Sequence, residues 1–100
     1  MKFDTVLLHE GHDSEKNRNC ITVPIYQTSA FSFNDVQFAQ DLFDLKVGGD
    51  IYTRISNPSW DIVEKRIAAL EGGVGALLTS SGQSAILIAM MKKILLMPLF

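Results

Sequence analysis

A single apolar segment that predicts a buried β-strand limits what this 100-residue chain can form. Residues 74–79 (VGALLT) follow a predicted helix that ends near Glu71 and precede a turn at 80–83, after which a third helix is expected from Ser84 onward. Helix, strand, glycine-containing turn and helix are together typical of the start of an α/β unit. A parallel strand is stabilised by neighbours on both sides. Because the sequence offers only one such strand, we expect the opening of a larger α/β domain and not a complete one.

Two other predicted helices carry boundary signals. Asn57 is a good N-cap, and Pro58 suits the first helical position, where its missing N–H costs nothing. An earlier amphipathic helix can be capped by Asn34 or Asp35, and its apolar spacing continues to Leu45. Both helices are followed by paired glycines, which favour helix termination.

The part of the chain before these helices offers little that can fold alone. Residues 9–19 are polar, charged and without periodicity, which predicts an extended or mobile arm. Residues 21–26 are β-prone, but Pro24 cannot donate to a β-ladder, so a regular central strand is not expected. The first third of the chain is therefore not expected to form a core of its own.

Charge and composition exclude several classes of protein. Lys and Arg number 9 against 11 Asp and Glu, a net charge of −2, so electrostatic binding of nucleic acid is not expected. The one cysteine, Cys20, excludes an internal disulfide framework and a cysteine-built metal site, and it fits a reducing, cytoplasmic setting. His9 and His12 have no further ligands at metal-binding spacing, so no metal site is expected.

The two ends of the sequence do not predict a membrane protein. The N-terminal apolar run is short and flanked by acidic groups, so no signal peptide is expected. Residues 85–100 are strongly apolar but are divided by Lys92 and Lys93, and the run is shorter than the about 20 residues that a spanning helix needs. The favoured interpretation is a helix buried in a protein core, with a membrane anchor as the alternative.

Two places in the sequence could bind an anion. At the start of the third predicted helix, free N–H groups face outward, Gly82 allows close backbone approach, and Ser81 or Ser84 can add hydroxyl donors. Tyr52 and Arg54 are two apart in an extended segment and would direct a phenol and a guanidinium at one target. A serine-capped helix and a loop with an exposed arginine are the structural alternatives, and spacing alone favours them.

Three stretches, in this order and spacing, carry a family resemblance: VPIYQTSAFSF at 23–33, IYTRISNPSWDIVEKRIAALEGG at 51–73 and ALLTSSGQSA at 76–85. They resemble the N-terminal part of the pyridoxal-phosphate (PLP)-dependent enzymes of cysteine and methionine metabolism, the cystathionine γ-synthase-like family. The similarity runs from about Phe3 to about Ala89. The Y-x-R-x-x-N-P block and the S-G-Q block together make the resemblance specific.

The resemblance implies an α/β fold, the N-terminal portion of the fold-type-I PLP-dependent transferase fold. Residues 1–57 would be an N-terminal arm and interface segment, and residues 58–100 the start of an incomplete PLP-binding large domain. The implied activity is a sulfhydrylase reaction that converts O-acetylhomoserine and sulfide, or a thiol, to homocysteine or methionine. Cystathionine γ-synthase, methionine γ-lyase and a non-catalytic remnant that only binds a partner remain alternatives, because the pocket residues that distinguish these enzymes are not in this sequence.

The resemblance also implies which residues bind the cofactor. Ser81, Gly82 and Gln83 would lie against the phosphate of pyridoxal 5′-phosphate, the last two through their backbone N–H groups. Tyr52 and Arg54 would reach the phosphate of a neighbouring subunit's cofactor. The implied assembly is a homotetramer, a dimer of dimers, acting on a small amino-acid substrate.

The same resemblance implies what this sequence lacks. The family's cofactor-binding lysine, the aspartate that pairs with the pyridine nitrogen, the aromatic residue that stacks on the ring and the substrate-binding arginine lie far beyond residue 100. Lys92 and Lys93 are not in the motif that carries the catalytic lysine. No catalytic residue is therefore predicted here. After Met91 the family pattern is lost, and we expect a truncated or frame-disrupted enzyme that is inactive by itself.

Overall fold

Four α-helices separated by long irregular segments make up the chain in a computed structural model, which describes residues 2–96 and the side chains of residues 2–93. The helices are α1 (Phe3–His9), α2 (Val36–Phe43), α3 (Pro58–Glu71) and α4 (Gly82–Leu96). A short 3-10 helix, Glu15–Asn17, follows α1. Within the described residues, α1 and α3 are the one pair of helices that pack together.

Helix α3 begins and ends where the sequence predicts. The side-chain oxygen of Asn57 accepts a hydrogen bond from the amide of Ser59 at 2.8 Å, and Pro58 occupies the first turn. At the other end Gly72 adopts a left-handed conformation with φ of 66°, and its amide returns to carbonyls of the last turn. Glycine suits this position because it adopts a left-handed φ without the steric cost that a Cβ adds.

The predicted cap of α2 is confirmed, but its predicted end is wrong. Asp35 Oδ1 accepts a backbone amide of the first turn at 2.6 Å. The helix stops at Phe43, because Leu45, which the apolar spacing places inside the helix, takes a left-handed φ of 60°. The chain then folds back so that Gly49 covers Leu42. A Cβ added at Gly49 would lie only 2.8 Å from Leu42 Cδ2. Leu42 is the one buried apolar side chain among the described residues.

The N-terminal arm is more structured than its polar sequence predicts. After α1, Arg66 Nε donates a hydrogen bond to the carbonyl of Glu10 at 3.0 Å. Gly11, with φ of 84°, approaches α3 so closely that a Cβ there would lie 3.1 Å from the Cβ of Lys65. The segment 9–19 is therefore not extended: Glu10 and Gly11 contact α3, and a 3-10 helix at Glu15–Asn17 follows.

Residues 74–79 do not form the predicted buried strand. In the part of the chain that the structure describes, β-pairing is limited to one antiparallel bridge between Ala30 and Tyr52. Val74 and Leu77 are largely exposed. A parallel strand needs neighbouring strands, and the described residues supply none for this segment. Of the predicted α/β class, the described residues therefore show the helices but not the strand.

The chain exposes much more surface than a small globular protein. Its accessible surface is 8472 Å², against about 5,700 Å² expected for a folded monomer of this size. Its radius of gyration is 16.4 Å, against about 13 Å for a compact domain of 100 residues. The predicted third helix is confirmed as α4, yet its apolar side chains, among them Ile86 and Leu87, remain exposed. This surface is typical of a structural piece that packs against more protein.

No helix within residues 2–96 is both long enough and apolar enough to span a membrane. Residues 97–100 of the apolar run, which we predicted as part of a buried helix, lie outside the described residues.

We expect Gly11→Ala to loosen the contact between α1 and α3. An alanine would have an unfavourable left-handed φ, and its Cβ would lie too close to Lys65. The packing of α1 on α3 should therefore be destabilised by about 1–2 kcal/mol. Hydrogen exchange of the α1 amides measures this loss. Gly75→Ala is the matched control, because a Cβ at Gly75 meets nothing within 4 Å. Equal protection of α1 in both variants would contradict the prediction.

Candidate functional site

Backbone pairing with an earlier segment fixes residues 51–56. The amide of Phe31 donates to the carbonyl of Ile51 at 3.1 Å, and the amide of Thr53 donates to the carbonyl of Ser29 at 2.7 Å. Beyond this short pairing the chain forms a turn, in which the amides of Ile55 and Ser56 both donate to the carbonyl of Tyr52, at 2.9 Å and 3.1 Å. The segment is therefore a bridge followed by a turn, which agrees with the irregular form of the irregular or extended link that the sequence predicts for residues 50–56.

Tyr52 and Arg54 contact each other, and a turn brings them together in place of the strand alternation on which the sequence-based prediction relied. The guanidinium carbon of Arg54 is 5.0 Å from the centroid of the Tyr52 ring, which is a cation–π contact. Within residues 2–93, no carboxylate forms an ion pair with Arg54. The guanidinium is therefore available to an anionic ligand.

The start of α4 presents a second set of donors. The helix begins at Gly82, two residues earlier than predicted, and Ser81 Oγ accepts the amide of Ser84 at 3.1 Å. No partner for the amides of Gly82 and Gln83 lies among the residues that the structure describes. A Cβ at Gly82 would meet nothing within 4 Å, so this end of the helix is open. Free amides at a helix N-terminus favour an anion, and a phosphate above all.

A cavity of about 480 Å³ lies between Arg54 and the residues that precede α4. Arg54 forms one part of its wall, and Thr79 and Ser80, which lead into α4, form another. Glu64 Oε2 lines the same cavity and accepts a hydrogen bond from the amide of Leu78 at 2.7 Å. This bond ties the segment before α4 to the middle of α3. Within the described part of this single chain, no hydrogen bond or ion pair joins Arg54 directly to residues 81–83.

Asn57 is a residue whose importance the sequence analysis underestimates. Its side chain is 3% exposed, the one buried polar side chain among the described residues. Besides capping α3, its Nδ2 donates to the carbonyl of Tyr26 at 2.9 Å and to Thr53 Oγ1 at 3.1 Å. The N-cap pattern in the sequence predicts only the capping bond, which the side-chain oxygen of Asn57 accepts, and not the two bonds that its Nδ2 donates. Its proximity to Y-x-R in the sequence is the signal that could have pointed to the second role.

A separate acidic cavity of about 330 Å³ lies on the arm side of α3. Asp13, Asp50 and Asp61 line it, together with Lys16 and Lys65. Burial, followed by the nearby carboxylates of Asp50 and Glu64, raises the pKa of Asp61 above its ordinary value of 3.8, while Lys65 lowers it. Within the described residues, no three His, Cys, Asp or Glu side chains, these aspartates included, form a group that could hold a metal ion.

The two histidines of the arm have different surroundings. His12 Nε2 donates a hydrogen bond to the carbonyl of Cys20 at 2.8 Å, which holds the two ends of the 12–20 loop together. His9 lies in the last turn of α1, where a basic side chain complements the helix dipole. His12 therefore has a structural role in this loop.

Comparison with known proteins gives a consistent family. A family model described as "Cys/Met metabolism PLP-dependent enzyme" matches residues 4–96. An O-acetyl-L-homoserine sulfhydrylase from Leptospira meyeri is 48% identical over 90 residues, which are 90% of this chain and 20% of that protein. A homocysteine/cysteine synthase from Kluyveromyces lactis is 51% identical over 84 residues, which are 83% of this chain and 19% of that protein. The chain therefore spans about a fifth of the length of the curated relatives it matches.

A solved structure has the same arrangement of elements. A crystal structure of a Campylobacter jejuni protein, assigned as an O-acetylhomoserine (thiol)-lyase, matches 91% of this chain with a TM-score of 0.86 and 34% identity. The match covers 22% of that protein, which carries a pyridoxyl-lysine-5′-monophosphate at its position 205. The exposed helices described here thus have the arrangement found within a much longer chain.

The raised pKa of Asp61 predicts how stability depends on pH. The folded chain holds this proton more tightly than the unfolded chain, so the stabilisation is complete below the unfolded value of 3.8 and is lost as the pH rises through the raised pKa. We expect Asp61→Asn to raise the melting temperature relative to the original chain at about pH 7, and to change it less at roughly pH 3. Thermal unfolding followed by circular dichroism checks this. Asp4→Asn, which alters a carboxylate outside this cavity, is the control. An equal change at both pH values would contradict the expectation.

Proposed function

The chain belongs to the Cys/Met metabolism PLP-dependent enzyme family, and we propose that it supplies the phosphate-binding part of a pyridoxal 5′-phosphate site in a sulfhydrylase. The proposed reaction converts O-acetylhomoserine and sulfide, or a thiol, to homocysteine or a methionine-like product. The names of the relatives support this choice over cystathionine γ-synthase and methionine γ-lyase.

One observation carries the proposal: two sets of unpartnered hydrogen-bond donors, both of the kind that binds phosphate. The first is Arg54, stacked on Tyr52 and without an ion pair among the described residues. The second is the open start of α4, where the amides of Gly82 and Gln83 have no partner within residues 2–96 and the Ser81 hydroxyl lies beside them. Donors of this kind bind a dianion by charge-assisted hydrogen bonds and by the helix dipole.

The donor set fits a phosphate monoester and not the whole cofactor. When bound, pyridoxal 5′-phosphate supplies an electron-withdrawing ring that stabilises negative charge at the substrate carbon. Arg54 and Tyr52 would donate to phosphate oxygens, and the amides of Gly82 and Gln83 would donate from the other side. By holding the phosphate, these residues would restrict where the ring can lie, and ring orientation decides which substrate bond reacts.

The groups that move protons are proposed to lie outside this chain. Lys92 and Lys93 are on α4, ten residues or more from its start. The chain alone is therefore expected to bind phosphate without turning over O-acetylhomoserine and sulfide. A borohydride-trapped adduct at one specific lysine, together with turnover, would contradict this assignment.

We further propose that the two donor sets serve one phosphate from two subunits. Tyr52 and Arg54 would serve the cofactor of a neighbouring chain, in a homotetramer built as a dimer of dimers in the cytoplasm, acting on an amino-acid substrate. The absence of a direct bond between Arg54 and residues 81–83 within one chain supports this arrangement for the described residues.

A non-catalytic interaction module is the second candidate, and the exposed surface favours it. The chain exposes about half as much surface again as a compact monomer of its size. Such a piece could bind a longer relative without contributing to catalysis. Phosphate recognition distinguishes the two candidates, because only the first requires it.

We expect the chain to bind pyridoxal 5′-phosphate more tightly than pyridoxal, which lacks the phosphate. Nuclear magnetic resonance titration should show shifts at the amides of Gly82 and Gln83. Arg54→Gln should weaken this binding by about tenfold, since it removes a charge-assisted pair. Arg18→Gln, a change at an exposed arginine of the arm, is the control. Equal affinity for both ligands would favour the non-catalytic candidate.

Mixing two defective variants tests whether the donor sets act across subunits. Arg54→Gln removes one set, and Gly82→Asp, which has open space around it, repels phosphate from the other. If the site forms between two chains, an equal mixture should regain binding at about a quarter of the sites, because each mixed dimer has one intact site. Titration with pyridoxal 5′-phosphate measures the recovered fraction. No recovery in a mixture that does exchange subunits would contradict the two-subunit site.

A further inference from the structure

Thr53 lies between the two side chains proposed to bind phosphate, and both its amide and its hydroxyl are bonded. The amide donates to the carbonyl of Ser29 at 2.7 Å. The hydroxyl donates to the carbonyl of Thr28 and accepts from Asn57 Nδ2, the latter at 3.1 Å. A threonine with both groups bonded in this way has its backbone and its side chain fixed together.

Asn57 does more than an N-cap requires. Its Oδ1 accepts the amide of Ser59 at 2.8 Å, which is the capping bond. Its Nδ2 makes two additional bonds, to the carbonyl of Tyr26 at 2.9 Å and to Thr53 Oγ1 at 3.1 Å. An aspartate would cap α3 equally well, but it has no N–H groups to donate. The two additional bonds therefore require an amide.

Burial makes these bonds important. The side chain of Asn57 is 3% exposed, so water cannot replace a lost partner. A buried polar group that loses its partner destabilises its surroundings by more than the bond itself contributes. The turn that carries Arg54 follows Thr53 directly, so its position depends on the bond between Thr53 and Asn57.

We propose that Asn57 and Thr53 are positioning residues for the phosphate site, which hold the turn so that the Arg54 guanidinium stays over the Tyr52 ring and directed at the ligand. The phosphate part of this inference rests on the proposed function. The geometric part, that the Asn57–Thr53 bond sets the Arg54–Tyr52 contact, stands without it.

Three variants of the full 100-residue chain separate positioning from folding. Asn57→Asp keeps the cap of α3 but removes both donors. Thr53→Val removes the hydroxyl in a side chain of nearly the same shape and leaves the cap untouched. Thr53→Ser keeps the hydroxyl that Thr53→Val removes, so it is the matched control.

The contact between Arg54 and Tyr52 has its own spectroscopic signature. In the original chain the Tyr52 ring current should shift the side-chain protons of Arg54 upfield. We expect this shift to be lost in Asn57→Asp and Thr53→Val and to be kept in Thr53→Ser. Far-UV circular dichroism should show that α3 remains helical in Asn57→Asp. In titrations with pyridoxal 5′-phosphate, the first two variants should bind roughly tenfold more weakly and the third nearly as well as the original.

The outcomes distinguish the two claims. If Asn57→Asp and Thr53→Val keep both the ring-current shift and the affinity, the positioning inference is wrong, although the phosphate site stands. If the original chain does not recognise the phosphate group, the proposed function fails, and the ring-current shift alone decides the positioning role. If Asn57→Asp loses its helix, Thr53→Val decides, because it does not touch the cap.

Discussion

The side-chain amide of Asn57 is the interaction on which the order of this chain depends. Three segments meet at it: the extended residues 24–29, the turn at 51–56 and the start of α3. Ser59 reinforces the junction, since its hydroxyl donates to the carbonyl of Pro24 and accepts the amide of Tyr26, each at 2.7 Å. Leu42 is the one buried apolar side chain in the described part of the chain. The hydrophobic effect therefore contributes little to the stability of this fold. Buried polar bonds, each contributing about 1 kcal/mol, take its place.

Helix α3 links the two donor sets that we assign to phosphate. Its N-terminal end holds the turn with Tyr52 and Arg54 through the bonds of Asn57. About two turns further along, Glu64 holds the segment that leads into the open end of α4. The position of each donor set therefore depends on the same rigid element. A displacement of α3 would change both sets, although no direct bond connects them within residues 2–93 of this chain.

What the sequence could predict was set by local chemistry. The Asn57 cap and the glycine at the end of α3 follow from residues within one turn of that helix and are confirmed. Of the two caps predicted for α2, Asn34 or Asp35, the structure has Asp35. The spacing of Tyr52 and Arg54 indicated that they act together, but not the turn that places the Arg54 guanidinium over the Tyr52 ring.

The features that the sequence did not predict depend on distant partners. The arm is ordered by the approach of Gly11 to α3, which no local pattern reveals. The segment 74–79 has the composition of a strand, but the described residues contain no strand to pair with it. The donors of Asn57 were missed because an N-cap is recognised by its oxygen alone. The arm contact with Arg66 and the Asn57 bond to Tyr26 join residues 56 and 31 positions apart, beyond the reach of a local pattern.

The bond from Leu78 to Glu64 has one more consequence. An exposed, uncharged, β-branched and aliphatic segment such as 74–79 is the kind of sequence that stacks into cross-β fibrils, and stacking begins when its backbone donors find another chain. The carboxylate of Glu64 already occupies the Leu78 amide and adds a negative charge beside it. Fibril growth along this segment would therefore first have to displace this charge-assisted bond within the molecule.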